Sequence, residues 1–439
     1  MSINTEVTQA NESGRFSLAK LALLSMLTGA TIGLVIGCFR VALDHMNTAR
    51  TETITWAHQW PVLGFVLVCA SVAATTALAA WLVQRSGQPA AGSGIPHVEA
   101  VIEGTLPAAP LLLLPIKFVG GLLAIGGGLA LGREGPSVQM GANLAQFCGA
   151  TFRLPTADRI ALFASGAGAG LAVAFNAPMA GSVFVLEELV RRFDIRIAIA
   201  ALGASCSAIA VASLLLGQQP DFHVAELSVP STWTGPVFGL LGIVAGLAGV
   251  AYNRPIIRTC ALFDGMTHWR PEFRALLIGA LVGALAWFAP HMVGGGDVIS
   301  QQVLVGGIGL AALPLIFAVR FVLGPLSYAA GTPGGLFAPI LALGACLGLA
   351  FGLLCPQFVA DSGATPVTFA IAGMAAFLTA TVRAPVTGMI LIFEMTGAFN
   401  QALPMLWASF AAMAVPTLMG NSPIYDSMKA RTIGVANAM

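Results

Sequence analysis

Apolar residues fall in long unbroken blocks along this chain, with polar residues gathered between the blocks and at the two ends. Residues 17–38, 61–83, 274–290 and 335–354 each reach the roughly 17–25 apolar residues that carry a helix across a bilayer. The period-two alternation of outer-membrane barrel strands is absent. The pattern therefore predicts an all-α polytopic membrane protein, with nearly the whole chain forming the membrane domain.

Composition sharpens that picture. Only 9% of the 439 residues are charged and 57% are hydrophobic, whereas a soluble domain carries about 25% charge. The net charge of +1 provides no basic stripe to neutralise phosphates, so nucleic acid is excluded as a partner. The seven cysteines and six histidines lack metal-ligand spacing. The cysteines read as small buried hydrophobes, and neither a metal nor a cofactor is expected.

The first residues are polar and include acids ahead of a long apolar run, unlike a cleaved signal peptide. Residues 1–16 read as a short cytoplasmic tail, 17–431 as one transmembrane domain and 432–439 as a second short tail, which leaves no room for a soluble regulatory domain. Arg15 and Lys20 at one end, and Lys429 and Arg431 at the other, place both termini in the cytoplasm. Arg191, Arg192 and Arg196 form a further basic group of the same sidedness.

The chain contains a weak copy of itself. Residues 166–188 (GAGAGLAVAFNAPMAGSVFVLEE) align with 373–395 (GMAAFLTATVRAPVTGMILIFEM), pairing Pro178 with Pro385, Gly181 with Gly388 and Glu187 with Glu394. GREGPSVQMGA aligns with GLFAPILALGA, pairing Gly132 with Gly335 and Pro136 with Pro339. Two matches in one order are the trace of a duplicated bundle. They predict a first repeat at about 90–217 and a second at about 235–431.

Three segments share one design: GSGIP (92–96), GREGP (132–136) and GGLFAP (334–339). Glycine lets the backbone turn sharply, and proline is tolerated in the first turn of the helix that follows. Each segment is thus a candidate helix N-terminus inside the membrane. Free N–H groups and the positive end of the helix dipole make such a terminus an anion site without a full positive charge.

Carrying GSGIP, GREGP and GGLFAP in order, with FNAPMAGSVFVLEE, RAPVTGMILIFEMT and the late tyrosine of NSPIYDS, the sequence resembles the CLC family of chloride channels and proton/chloride exchangers. It is most similar to the short bacterial exchangers. The resemblance implies a homodimer with one anion pathway per subunit, an inverted repeat of about eighteen tilted and broken helices, and a location in the bacterial inner membrane. It implies chloride and protons as transported ligands and no enzymatic activity. Ser93 and Tyr425 match the hydroxyl donors to the central anion, and Ile95, Leu336 and Phe337 would add backbone N–H groups. Glu134 matches the gating glutamate. Glu188 matches the internal glutamate that passes protons to the cytoplasm, with Glu187 its neighbour in gating and proton transfer.

Plainer readings stand beside these. Glu134 could pair with Arg133, although adjacent helical residues point about 100° apart. Glu134 also falls opposite Phe337 in the repeat, so this side chain differs where the scaffold is shared. Glu187 and Glu188 could be a charged helix end before Arg191 and Arg192, Tyr425 an interfacial aromatic, and Ser93 a turn residue. Glu99 and Glu103 are expected to form buried pairs with Lys117 and Arg320. His97 stands where the nearest exchangers have an acid and has no functional account. GAGAG (166–170) is read as close helix packing rather than a dinucleotide loop.

Three rival functions remain. A passive channel of the same fold would keep Glu134 but lack Glu188. Nitrate- or fluoride-selective members depart from the serine–tyrosine pattern that this chain keeps. An intramembrane aspartyl protease would need Asp426 of its "YD" and Asp297 of GGGD on facing helices.

Overall fold

The computed structural model describes residues 3–87, 89–266, 268–355 and 362–438, with side chains described from 17 to 434 within those stretches. Seventeen α-helices and no strand occur among the described residues. The first eight are α1 (Ile3–Ala57), α2 (Pro61–Ser86), α3 (Ile95–Ile102), α4 (Leu113–Gly121), α5 (Glu134–Thr151), α6 (Thr156–Phe175), α7 (Pro178–Phe184) and α8 (Ile195–Leu216). The next eight are α9 (Gly235–Gly265), α10 (Pro271–Phe288), α11 (Asp297–Leu304), α12 (Leu313–Tyr328), α13 (Phe337–Leu354), α14 (Pro366–Val382), α15 (Pro385–Thr396) and α16 (Ala402–Leu418), and α17 (Ile424–Ala438) ends the chain. Eight helices among the described residues are long and apolar enough to cross a membrane. The chain is a multi-pass integral membrane protein.

The helices repeat in order and in partner. α1 packs on α8 as α9 packs on α16, and α5 packs on α6 as α13 packs on α14. Small residues permit the close approach in both halves. A Cβ on Gly141 would lie 2.2 Å from the Gly166 carbonyl, and one on Gly344 would lie 2.5 Å from that of Gly373. Backbone approach of this kind stabilises membrane helix pairs through dispersion contacts. It also accounts for GAGAG, whose glycines face α5 and α7.

The two halves are inverted about a common axis. α2 meets its own counterpart α10, α7 meets α15, and Gly132 bridges antiparallel to Gly335. Elements that contact their own equivalents mark a two-fold relation. The helix order takes the match back from residue 90 to α1 and leaves α17 outside it, so the structural repeat is wider at its start and shorter at its end than the sequence alignment suggests. The outer helices α1, α2, α9 and α10 present many exposed apolar side chains. Such a face need only be apolar, so sequence likeness fades there while packing persists.

Two π-helical turns break the regularity, Leu122–Gly126 after α4 and Val185–Leu189 after α7. The counterpart of the second, in α15, is an unbroken α-helix to Thr396. π turns often occur at functional sites, and this one carries Glu187 and Glu188.

Candidate functional site

Three glycine-led loops meet at the centre of the molecule. Gly132 N–H donates to Gly335 O (2.9 Å) and Gly335 N–H to Gly132 O (2.7 Å). Gly92 N–H donates to Thr332 O (2.9 Å), and Gly334 N–H donates to Gly92 O (3.1 Å). The N-termini of α3, α5 and α13 are thereby clamped together. Gly94, ahead of α3, has φ 83°, a left-handed conformation natural to glycine.

Glu134, the first residue of α5, is fully buried. Its Oε1 accepts from the Phe337 N–H at the start of α13 (2.6 Å). Its Oε2 meets no hydrogen-bond partner among the described residues. The glycine bridge makes room for this carboxylate: a Cβ on Gly132 would lie 2.0 Å from Oε2, and one on Gly335 2.2 Å from Oε1. The Glu134 carboxyl group therefore occupies the N-terminus of α13.

Ser93 Oγ and the Tyr425 hydroxyl are fully buried and also lack hydrogen-bond partners among the described residues. The Tyr425 phenol lies close to the Ser93 hydroxyl and near Glu134. Its ring stacks on Phe337 (6.0 Å between centroids), which also packs against Phe175 and Phe184. Burial rules out a merely interfacial tyrosine. The Ser93 N–H donates to the Tyr328 hydroxyl (3.1 Å), fixing the loop from behind. The first backbone bond of α3 runs from Val98 N–H to Gly94 O, and that of α13 from Ile340 N–H to Leu336 O. The N–H groups of Ile95, Leu336 and Phe337 thus precede their helical ladders and are free to serve a side chain or an anion.

Arg133 does not pair with Glu134. Its Nη2 lies 2.7 Å from Asp221, and Arg40 lies 2.8 Å from the other oxygen of the same aspartate. Asp221 was not singled out from the sequence. Its only signal is one acid in the polar stretch GQQPDFH that joins the two halves.

The expected pairs of Glu99 and Glu103 with Lys117 and Arg320 are not formed. Lys117 donates instead to the carbonyls of Ala90 (3.0 Å) and Gly92 (2.8 Å). Arg320, its counterpart in the repeat, donates to the carbonyls of Met292 (3.1 Å), Gly294 (2.6 Å) and Gly295 (2.7 Å). Each buried cation clasps the loop ahead of a short helix, α3 in one half and α11 in the other. Carbonyl groups outcompete the carboxylates because both cations point into the loops, while Glu99 and Glu103 reach Lys429 at 3.3 Å and 2.7 Å.

The paired glutamates Glu187 and Glu394 exchange caps. Glu187 accepts from Val386 N–H (3.0 Å) and Thr387 N–H (2.6 Å) at the start of α15. Glu394 accepts from Met179 N–H (3.0 Å) and Ala180 N–H (2.8 Å) at the start of α7. Each carboxylate satisfies orphan donors and complements a helix dipole. Glu188, one residue on, is buried and points elsewhere: its Oε1 lies 3.6 Å from Arg191 and has no hydrogen-bond partner among the described residues. An open cavity of about 530 Å³ reaches it, lined also by Arg191, Arg192 and Arg383.

His97 is buried, with Nδ1 3.4 Å from Gln139 Nε2. The two aspartates of the protease reading lie apart. Asp297 lines a cavity of about 570 Å³ with Arg133 and Asp221, whereas Asp426 pairs with Arg191 and Lys429. They form no facing dyad. Among the described residues no group of three or more histidines, cysteines or acids could hold a metal ion.

An inverted repeat of tilted, interrupted membrane helices, closed around converging helix N-termini, defines a membrane transport protein. Residues 75–417 match the Voltage gated chloride channel family, and the chain belongs to it. The H(+)/Cl(-) exchange transporter ClcA of Yersinia pestis bv. Antiqua (strain Angola) is 37% identical over 428 residues, spanning 94% of this chain and 89% of that protein. The protein of the same name from Vibrio cholerae serotype O1 (strain M66-2) is 37% identical over 423 residues, 93% and 89% of the two chains. Among solved structures, a slow cyanobacterial Cl-/H+ antiporter superposes with TM-score 0.89 at 30% identity, over 95% of this chain and 99% of its own. A eukaryotic CLC transporter shares the fold with TM-score 0.79 at 23% identity, over 94% and 74%.

Proposed function

We propose that this protein exchanges chloride for protons across the bacterial inner membrane, as a homodimer with both termini in the cytoplasm and one pathway in each subunit. The observation that carries the reading is the Glu134 carboxylate seated on the Phe337 N–H. An ionised side chain there takes the place an anion would take. Protonation neutralises it and weakens its hold on the helix terminus, so chloride can replace it. Proton and chloride compete for one position, and that competition couples them.

Ser93 Oγ, the Tyr425 hydroxyl and the N–H groups of Ile95, Leu336 and Phe337 are the donors assigned to chloride. Neutral donors suit an ion that must also leave. Glu188 is assigned to the proton branch away from Ser93 and Tyr425, so a proton need not cross a bound anion. Glu187 has both oxygens engaged on α15 and is assigned to hold the turn that presents Glu188. The relatives named for H(+)/Cl(-) exchange, at 37% identity, support exchange over a passive channel. Chloride inward and proton outward move charge in the same electrical sense, and each elementary charge crossing the full potential is worth about 2.3 kcal/mol per 100 mV.

The test is purified protein in liposomes, with chloride efflux and external pH recorded together. Proton uptake driven by a chloride gradient is the expected result. Chloride flux with no proton movement would make the protein a channel.

A further inference from the structure

Beyond Glu188 the charges continue in alternating sign. Arg191 Nη2 lies 3.6 Å from Glu188 Oε1 and 2.8 Å from Asp426 Oδ1. Asp426 Oδ1 lies 3.5 Å from Lys429 Nζ, which reaches Glu103 and Glu99 on α3. Three elements are joined: the π turn after α7, α17 and α3. Asp426 directly follows Tyr425, so the ladder touches the helix that presents the buried phenol.

Arg191 is the pivot. Its φ of 53° is uncommon for a residue other than glycine. In that conformation its Nε donates to the Glu188 carbonyl (3.2 Å), and its guanidinium spans Glu188 and Asp426. Glu188 is 3% exposed while Arg191 is 42% exposed, so the arginine is the member with freedom to move. Of the other charges near Glu188, Glu99 has neither oxygen hydrogen-bonded among the described residues and still acts on it; the rest are engaged elsewhere or face the open cavity. Glu187 caps α15, and Asp158 of α6 is neutralised by Arg196 of α8 at 2.8 Å. Glu99 of α3 is met by Lys429, and Arg192 and Arg383 line the cavity.

We propose that Arg191 is a positioning residue that links the protonation state of Glu188 to the seating of α17, and so of Tyr425, through Asp426. The proposal rests on the reading of Glu188 as the proton-carrying acid. While Glu188 is ionised, Arg191 is shared between two carboxylates and pins the turn to α17. When Glu188 takes a proton, Arg191 keeps its contact to Asp426 but loses its anchor at Glu188, so the guanidinium that holds α17 is itself less firmly fixed. The phenol one residue away is then aimed less firmly at the anion. By linkage, chloride in turn alters proton affinity at Glu188 by the same factor. Proton and anion are thereby coupled at a second place, apart from Glu134.

The test is calorimetric chloride affinity at acid and at neutral pH for wild type, Arg191→Gln, Asp426→Asn and the double variant, each confirmed monodisperse. Protonation of Glu188 also removes a direct repulsion of the anion, so the informative quantity is the ratio of the two affinities. Loss of the contact should raise the acid-to-neutral ratio roughly two- to fivefold, the range for a partly exposed ion pair. The double variant should show no further change, since both substitutions break one contact. In a Glu188→Gln background, Asp426→Asn should leave the ratio unaltered. An unchanged ratio in the single variants, or additive effects in the double, overturns the proposal. Proton uptake by wild-type protein in liposomes separates the two levels: without it the reading of Glu188 falls, and with it but an unchanged ratio only the role of Arg191 falls.

Discussion

The first half of the molecule, α1–α8, and the second, α9–α16, share a scaffold but not the ionisable groups at its centre. Where the halves agree, the side chains hold structure. Glu187 and Glu394 cap each other's helices, Lys117 and Arg320 clasp equivalent loops, and Gly141 and Gly344 admit the same close helix contact. At two central positions the first half has an acid and the second an apolar residue: Glu134 stands opposite Phe337, and Glu188 opposite Met395. A duplicated bundle can keep one copy as frame while the other gains chemistry. The contrast separates the carboxylates that cap helices in both halves from the two, Glu134 and Glu188, to which the proposed function assigns the proton.

The largest expected effect comes from Glu134. Glu134→Gln cannot ionise, so it holds the neutral state permanently. Chloride flux should persist with most of its acid activation lost, and proton transport should stop. Proton pumping against a gradient by this variant would remove Glu134 from the coupling step.

Glu188→Gln separates the two pathways. Proton transport should fall to little or nothing, while the protein stays folded with near-normal chloride binding and continuing chloride flux. Paired pH and chloride recordings in liposomes decide it. Wild-type proton pumping would shift the role to Glu187 or a water path.

Ser93→Ala combined with Tyr425→Ala tests the anion site. A hydrogen bond to a charged group contributes about 1.5–3 kcal/mol, so each lost donor should weaken chloride binding roughly ten- to a hundredfold. Unchanged affinity in the folded double variant means that the anion sits elsewhere.

The smallest effects should come from the shared glutamates. Glu187→Gln and Glu394→Gln each weaken two capping bonds, and each should cost about 1–2 kcal/mol of stability. The two losses should be similar, since the caps are reciprocal, and the proton-to-chloride ratio should stay near wild type in both. A selective loss of proton transport in Glu187→Gln alone would break the division between frame and chemistry.

Much of this was legible in the chain. Apolar blocks fix the membrane class because a bilayer leaves few ways to satisfy a backbone. The glycine–proline loops mark the helix starts because only such residues permit the turn and the approach that the Gly132–Gly335 bridge requires. The alignment paired Glu187 with Glu394, but the reading of Glu187 as a partner in gating and proton transfer did not anticipate that each carboxylate caps a helix of the other half. The expected partners of Lys117 and Arg320 were wrong because sequence shows charge but not direction. Both cations turn to carbonyl groups, which carry no sequence signal at all. The same limit hid Asp221, which joins Arg40 of α1, 181 residues away in the chain, to Arg133 ahead of α5, 88 residues away.

The sequence by itself determined the class, the duplication and the three loops, since these follow from local hydrophobicity, backbone freedom and the order of residues. Only the tertiary structure decided which charges face which. It seated the Glu134 carboxylate on Phe337, gave both oxygens of Glu187 to α15, and strung Arg191 between Glu188 and Asp426. Electrostatic partnership depends on distance and direction in three dimensions, and inverted packing brings carboxylates onto backbone N–H groups some two hundred residues away in the chain.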